Sequence, residues 1–265
     1  MGTLDRTPEK HYPPVLENGD AKVPFRFPIV SRSFVPSVFT VMNMVSGYGS
    51  IVMAGEGSFI AAGWLIFLAA FFDTIDGFVA RMTDGTSEFG VELDSLSDLV
   101  SFGAAPAYLV YKFGLESFGM PYGLILSSLL MVGSGLRLAR FNISLIGYHK
   151  ESFSGLPTPA QAMTVASFVL WMHSQPLLTG AALHQALAFL TVVLALLMVS
   201  KINYDALPKP TLDSFRRYPM QMTCYVIAAF CVLVYQAKAF FVAMLLYILL
   251  GFVRSLTVLV RQWQV

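Results

Sequence analysis

The sequence predicts an all-α, polytopic transmembrane helix bundle of about eight spans, and three observations carry that prediction. Of the 265 residues, 56% are hydrophobic and only 12% are charged, far from the balance of a water-soluble domain. Apolar runs near the roughly 20 residues needed to cross a bilayer recur almost without pause from Phe34 to Val260. Lys and Arg are segregated as well. With the spans drawn as below, every one of the 17 except Lys112 and Lys238 falls on the side that holds the amino terminus. Positive flanks of membrane helices stay in the cytoplasm, so both termini are expected there.

Residues 1–33 form a polar, proline-containing tail that lacks the basic-then-apolar order of a cleaved signal peptide, which makes the first span a retained anchor. Spans are expected at 34–54, 59–82, 89–113, 121–145, 159–174, 183–202, 219–236 and 239–260, separated by short polar or Gly/Pro-bearing stretches. The fifth is short, and the last two nearly abut. Losing one span would scramble the alternation of charge downstream, so the charges support the number of crossings as well as their direction.

The net charge of +1 hides a basic inner face, which favours anionic headgroups and phosphorylated substrates. Nucleic acid is excluded as a partner because the basic residues sit at helix ends and no basic tract is interleaved with aromatics. Cys224 and Cys231 lie on one expected helix, with Cα atoms roughly 10 Å apart, too far for a mutual disulfide. His11, His149, His173 and His184 are scattered through tails and loops and suit surface roles rather than zinc ligation.

Ionisable residues inside apolar spans are costly and mark function. Here they concentrate at the inner ends of the second and third spans, where Asp73, Asp76, Asp94 and Asp98 stand. The first pair is spaced i,i+3 and the second i,i+4, so each pair can project from one helical face. Four carboxylates converging in a low dielectric would repel one another by several kcal/mol, on the order expected from Coulomb's law, unless cations or protons neutralise them. Oxygen-only ligation points to Mg²⁺ or Mn²⁺, with Ca²⁺ as a non-productive occupant, rather than zinc or copper. Two such ions could clamp a pyrophosphate. Gly77 and Ala80 lie along the same face and leave room for a nucleotide, and Arg81 supplies a fixed positive charge.

Asp73, Asp76, Gly77, Ala80, Arg81, Gly90, Asp94 and Asp98 together match D-x2-D-G-x2-A-R-x8-G-x3-D-x3-D, and on these residues the chain resembles the CDP-alcohol phosphotransferase family. The resemblance implies a two-metal site held by Asp73, Asp76 and Asp94, with Asp98 as general base on the incoming alcohol or as a shared ligand. It also implies contacts from Gly77, Arg81 and Gly90 to the CDP moiety. A serine-type hydroxyl is a weak nucleophile at neutral pH and needs such a base, whereas CMP leaves readily from a metal-bound pyrophosphate.

Three further stretches bear on the acceptor and resemble the serine-using branch of that family: Ser101 to Ala107, Arg137 to Asn142 with Gly155 to Pro159, and Ser200 to Ile202. The resemblance covers 34–205 as a six-helix core, leaving 206–265 as two additional helices. It implies CDP-diacylglycerol and L-serine as substrates. Ser101 shares the Asp94/Asp98 face, and Pro106 should kink the third span. Arg137 and Arg140, at i,i+3, suit anions: Arg137 is the candidate for a lipid phosphate and Arg140 for the serine carboxylate. Lys201 is either a further anion ligand or an anchor. In the first span Pro36, Thr40 and Asn43 share a face, and Asn43 is expected to point toward the site. Membrane lipids and a second copy of the chain, as a homodimer, complete the expected partners.

Overall fold

The computed structural model describes residues 34–83, 88–146, 155–202, 204, 237–255 and 257. Helix α1 spans Phe34–Gly55 and α2 spans Phe59–Thr83. Next comes a composite helix made of α3 (Glu88–Asp98), a π-helical segment (Leu99–Ala104) and α4 (Ala105–Phe113). A short 3-10 turn, Leu115–Phe118, leads to α5 (Tyr122–Ile146), which is followed by α6 (Thr158–Ser174) and α7 (Gly180–Val199). A last helix, α8, runs over Ala237–Ser255. These bounds follow the spans expected at 34–54, 59–82, 89–113, 121–145, 159–174, 183–202 and 239–260 to within a few residues. The expected span at 219–236 lies outside the described residues, as do Cys224, Cys231, His11 and His149.

Five of these helices are long and apolar enough to cross a membrane: α1, α2, α5, α7 and α8. No more than 33% of any of their apolar windows is buried inside the molecule. Val45, Trp64, Phe71, Ile125 and Phe189 all stand on the outer surface. Apolar surface on that scale belongs in lipid, where backbone polar groups are satisfied within each helix. The protein is therefore a membrane protein. The composite helix falls outside the five because acids and the π segment interrupt it, and α6 because it is only 17 residues long.

Two apolar clusters hold the bundle together. One joins Ala62, Ile66 and Ala69 of α2 to Phe102, Ala105 and Leu109 and to Ala162, Ala166 and Val169 of α6. The other joins Leu130 of α5, Val165, Phe168 and Met172 of α6, Leu187, Leu194 and Met198 of α7, and Phe241 and Ile248 of α8. Helix α6 belongs to both and is the central post. At the end remote from the acids, Phe59 and Phe113 pack on His173, and Phe118 packs on His184.

Two close approaches fix how the acid-bearing helices meet their neighbours. A Cβ on Gly47 would stand 2.5 Å from the Ser101 Cα, so only glycine lets α1 lie this near the π segment. Gly155 has φ of 93° and Met198 O only 2.3 Å from where its Cβ would be. That turn sets the start of α6 on the end of α7, where Gly155 N–H donates to Ile202 O at 2.8 Å and Leu156 N–H donates to Leu197 O at 3.0 Å.

The kink expected at Pro106 takes the form of the π segment. Ala105 N–H donates to Val100 O, five residues back. Pro106 has no N–H to offer Phe102 O, and that carbonyl instead accepts from Ser134 Oγ of α5 at 3.3 Å. One extra residue in the turn keeps the helix going while it changes which face looks inward.

Candidate active site

Asp73 sits past the middle of α2 and Asp94 and Asp98 in the last two turns of α3, so antiparallel packing of the two helices brings the three together. One carboxylate oxygen from each lies within 4.8 Å of the others. Asp73 and Asp98 are close enough to share a side-chain hydrogen bond. Asp76 is set apart from this trio. It is buried, and Thr40 Oγ1 donates to its Oδ2. Its charge nevertheless acts on both Asp73 and Asp94, so the four acids form one electrostatic unit with three converging members.

Helix α1 is the frame for this unit. Asn43 Nδ2 donates to Asp98 Oδ1 at 3.5 Å, a long contact that aims the amide at the acid. In return the α1 carbonyls accept: Ser97 Oγ donates to Thr40 O at 2.9 Å and Ser101 Oγ to Asn43 O at 2.9 Å. The face shared by Thr40 and Asn43 is thus laced to the composite helix in both directions. Ser101 gives its hydroxyl to this lacing. A second brace comes from α5, where Asn142 Nδ2 donates to Ser95 Oγ at 3.1 Å.

The two arginines of α5 diverge. Arg137 is half-buried and in electrostatic reach of Asp98, and its Nε is buried without a hydrogen-bond partner among the described residues. Arg140 is exposed, and its Nη1 donates to Val199 O at 2.8 Å. Lys201 is exposed just beyond α7. Gly77, Ala80 and Gly90 are partly exposed on the stretches of α2 and α3 that flank the acids. Arg81 is in the last turn of α2, with its side chain outside the described part. Thr158, within the stretch Gly155 to Pro159, and Gln161, which sequence reasoning passed over, are both fully buried at the start of α6. The trace Gln161 leaves in the sequence is a carboxamide in the first turns of a largely apolar helix.

Three carboxylate oxygens in this spacing are a hard donor set suited to Mg²⁺ or Mn²⁺. Such donors near a half-buried guanidinium, in a bundle whose outer surface suits lipid, fit the class of membrane-embedded enzymes that transfer phosphoryl-linked groups with divalent metal. Within that class the chain belongs to the CDP-alcohol phosphatidyltransferase family, whose family model matches residues 33–202.

Its relatives are consistent in kind. The CDP-diacylglycerol–serine O-phosphatidyltransferase of Helicobacter pylori is 34% identical over 237 residues, 88% of this chain and 96% of that protein. The archaetidylserine synthase of Methanothermobacter thermautotrophicus is 40% identical over 179 residues, 66% of this chain and 71% of that one. A CDP-diacylglycerol–serine O-phosphatidyltransferase of Methanocaldococcus jannaschii is 37% identical over 169 residues, 64% of this chain and 72% of its own.

Proposed function

We propose that the chain transfers the phosphatidyl group of CDP-diacylglycerol to the hydroxyl of L-serine and releases CMP. The convergence of Asp73, Asp94 and Asp98 carries the phosphotransfer part of this reading. The names of relatives that match most of the chain support serine as the acceptor.

Two divalent ions, Mg²⁺ or Mn²⁺, would be held by Asp73, Asp76, Asp94 and Asp98 and would supply charge neutralisation on the pyrophosphate. Asp98 takes the proton from the serine hydroxyl as the oxygen–phosphorus bond forms and the bond to CMP breaks. Asn43 orients that carboxylate through its amide. Arg137, within electrostatic reach of Asp98, holds the lipid phosphate and steadies the charge that builds on it. Gly77, Ala80, Arg81 and Gly90 line the CDP side. The reading includes eight crossings around a six-helix core, a cytoplasmic site and cytoplasmic termini, and a homodimer in the membrane.

The test is CMP release by purified protein given CDP-diacylglycerol, metal and one alcohol at a time. L-serine should support turnover, and turnover with glycerol phosphate but not serine would reverse the assignment. Chelation should abolish activity and added Mn²⁺ should restore it. Asp98→Asn should lower kcat by about 10²- to 10⁴-fold, the usual size of a lost general base. Normal CMP release by that variant would remove Asp98 from the role.

A further inference from the structure

Among the described residues, buried side-chain nitrogen or oxygen atoms without a hydrogen-bond partner belong to Asn43, Arg137, Thr158, Gln161, Thr191 and Tyr204. Asn43 adjoins Asp98, and Arg137 is within electrostatic reach of it. Gln161 is the extreme case, 0% exposed with neither Nε2 nor Oε1 served. Thr158, 1% exposed, has its Oγ1 unserved as well. Burying a carboxamide with both ends unmatched is costly, and a glutamine held there calls for a reason beyond packing.

Helical rows show where these residues face. Ala62, Ile66 and Ala69 of α2 lie in one cluster with Val169, Ala166 and Ala162 of α6. Continued one turn toward the acids, the α2 row arrives at Asp73 and the α6 row at Thr158. The register agrees. A Cβ on Gly63 would meet Leu170 at 2.8 Å, and about ten residues along each antiparallel helix, roughly 15 Å, brings Asp73 level with the turn between Thr158 and Gln161. Gln161, at i+3 from Thr158, stands next to it but toward α5 and α7, because its own row runs through Val165, Phe168 and Met172; the pair thus spans the seam between α2, which bears Asp73, and α5, which bears Arg137.

A carboxamide offers a donor and an acceptor side by side, and its complement is a molecule that carries an acceptor beside a donor. The adjacent α-carboxylate and α-ammonium of a free amino acid are such a pair. Arg140, the cation expected to take the carboxylate, is exposed and donates one Nη1 hydrogen bond to Val199 O.

We propose that Thr158 and Gln161 form the acceptor subsite, where Nε2 and the threonine hydroxyl hold the α-carboxylate and Oε1 receives the α-ammonium of a free amino acid whose side-chain hydroxyl faces Asp98. This rests on the serine reading above. An acceptor bearing a phosphate and no ammonium leaves Oε1 without its cation, and a site built for a polar partner discriminates against molecules that lack it.

Steady-state kinetics on the full chain in mixed micelles test the subsite. Gln161→Leu keeps the volume and removes both polar ends, and it should raise the KM for L-serine roughly ten- to a hundredfold while the KM for CDP-diacylglycerol stays within about twofold. Thr158→Val should shift the serine KM in the same direction. Gln161→Glu, which turns the donor end into a second acceptor, should do so by repelling the carboxylate. L-serine should raise the thermal midpoint of wild-type protein loaded with Ca²⁺, the non-productive ion, and CDP-diacylglycerol, but not that of Gln161→Leu.

A purely structural glutamine would instead lower the midpoint of the unliganded variant and move kcat and both KM values together, which would overturn the proposal. So would a wild-type serine KM in Gln161→Leu and Gln161→Glu, with the serine reading left intact. Wild-type protein that turns over glycerol phosphate and ignores L-serine would remove the serine reading itself.

Discussion

Asp76 shows how a single side chain can belong to a site without converging on it. Spacing alone places Asp73 and Asp76 on one face, and the four acids were legible as a group for that reason. Which of them point at one another was not legible, because the answer depends on what stands opposite each. Thr40 takes the Asp76 carboxylate, and Asn43 sits over Asp98. A threonine in an apolar span looks like packing until its partner on another helix is known. Thr40→Val should therefore act through Asp76, raising the Mn²⁺ concentration needed for half-maximal activity by about 10- to 100-fold, the range for lost outer-shell support. A Mn²⁺ titration of CMP release, read against kcat at saturating metal, checks it. Asn142→Ala should do less, since it removes a brace to Ser95 and not a bond to an acid.

The helices themselves were largely readable, because apolar runs ended by Gly, Pro and charge leave little freedom about where each begins and stops. Their local deviations were not. Pro106 announces a missing donor, but three remedies are open to a helix: a bend, a break or a widened turn. The widened turn is the remedy here, and Ser134 on α5 satisfies Phe102 O, a contact between residues far apart in sequence. Close approach is equally invisible in one dimension. Gly47 reads as an ordinary small residue of a membrane helix, yet it lies against the Ser101 backbone. Gly47→Val should force α1 away from the composite helix and destabilise the protein by about 1–3 kcal/mol. The thermal midpoint should fall, and activity should fall further because Thr40 and Asn43 move with α1. Gly47→Ala should show the same effects in weaker form.

At the scale of the whole molecule, charge segregation predicts a topology that labelling can read. In a chain lacking Cys224 and Cys231, cysteines placed at Lys112 and Lys238 should react with a membrane-impermeant maleimide from outside, and one at Lys201 only after permeabilisation. Labelling of Lys238→Cys from the inner side alone would show that 219–236 does not cross. Of the two additional helices expected over 206–265, α8 binds the rest of the bundle through ordinary contacts: Phe241 on Phe168 and Trp171, Lys238 over the Trp171 ring at 5.7 Å, and Tyr247 on Tyr204. Tyr204 also lies against Gly251, where a Cβ would stand 2.4 Å from its ring. Two residues before Tyr204 is Ile202, whose carbonyl holds Gly155 at the start of α6. The backbone around that bond couples the seating of α8 to the turn that bears Thr158 and Gln161, and coupling of this kind runs equally in both directions. Gly251→Leu, which unseats Tyr204, should weaken serine binding, and bound serine should in turn slow proteolysis of α8.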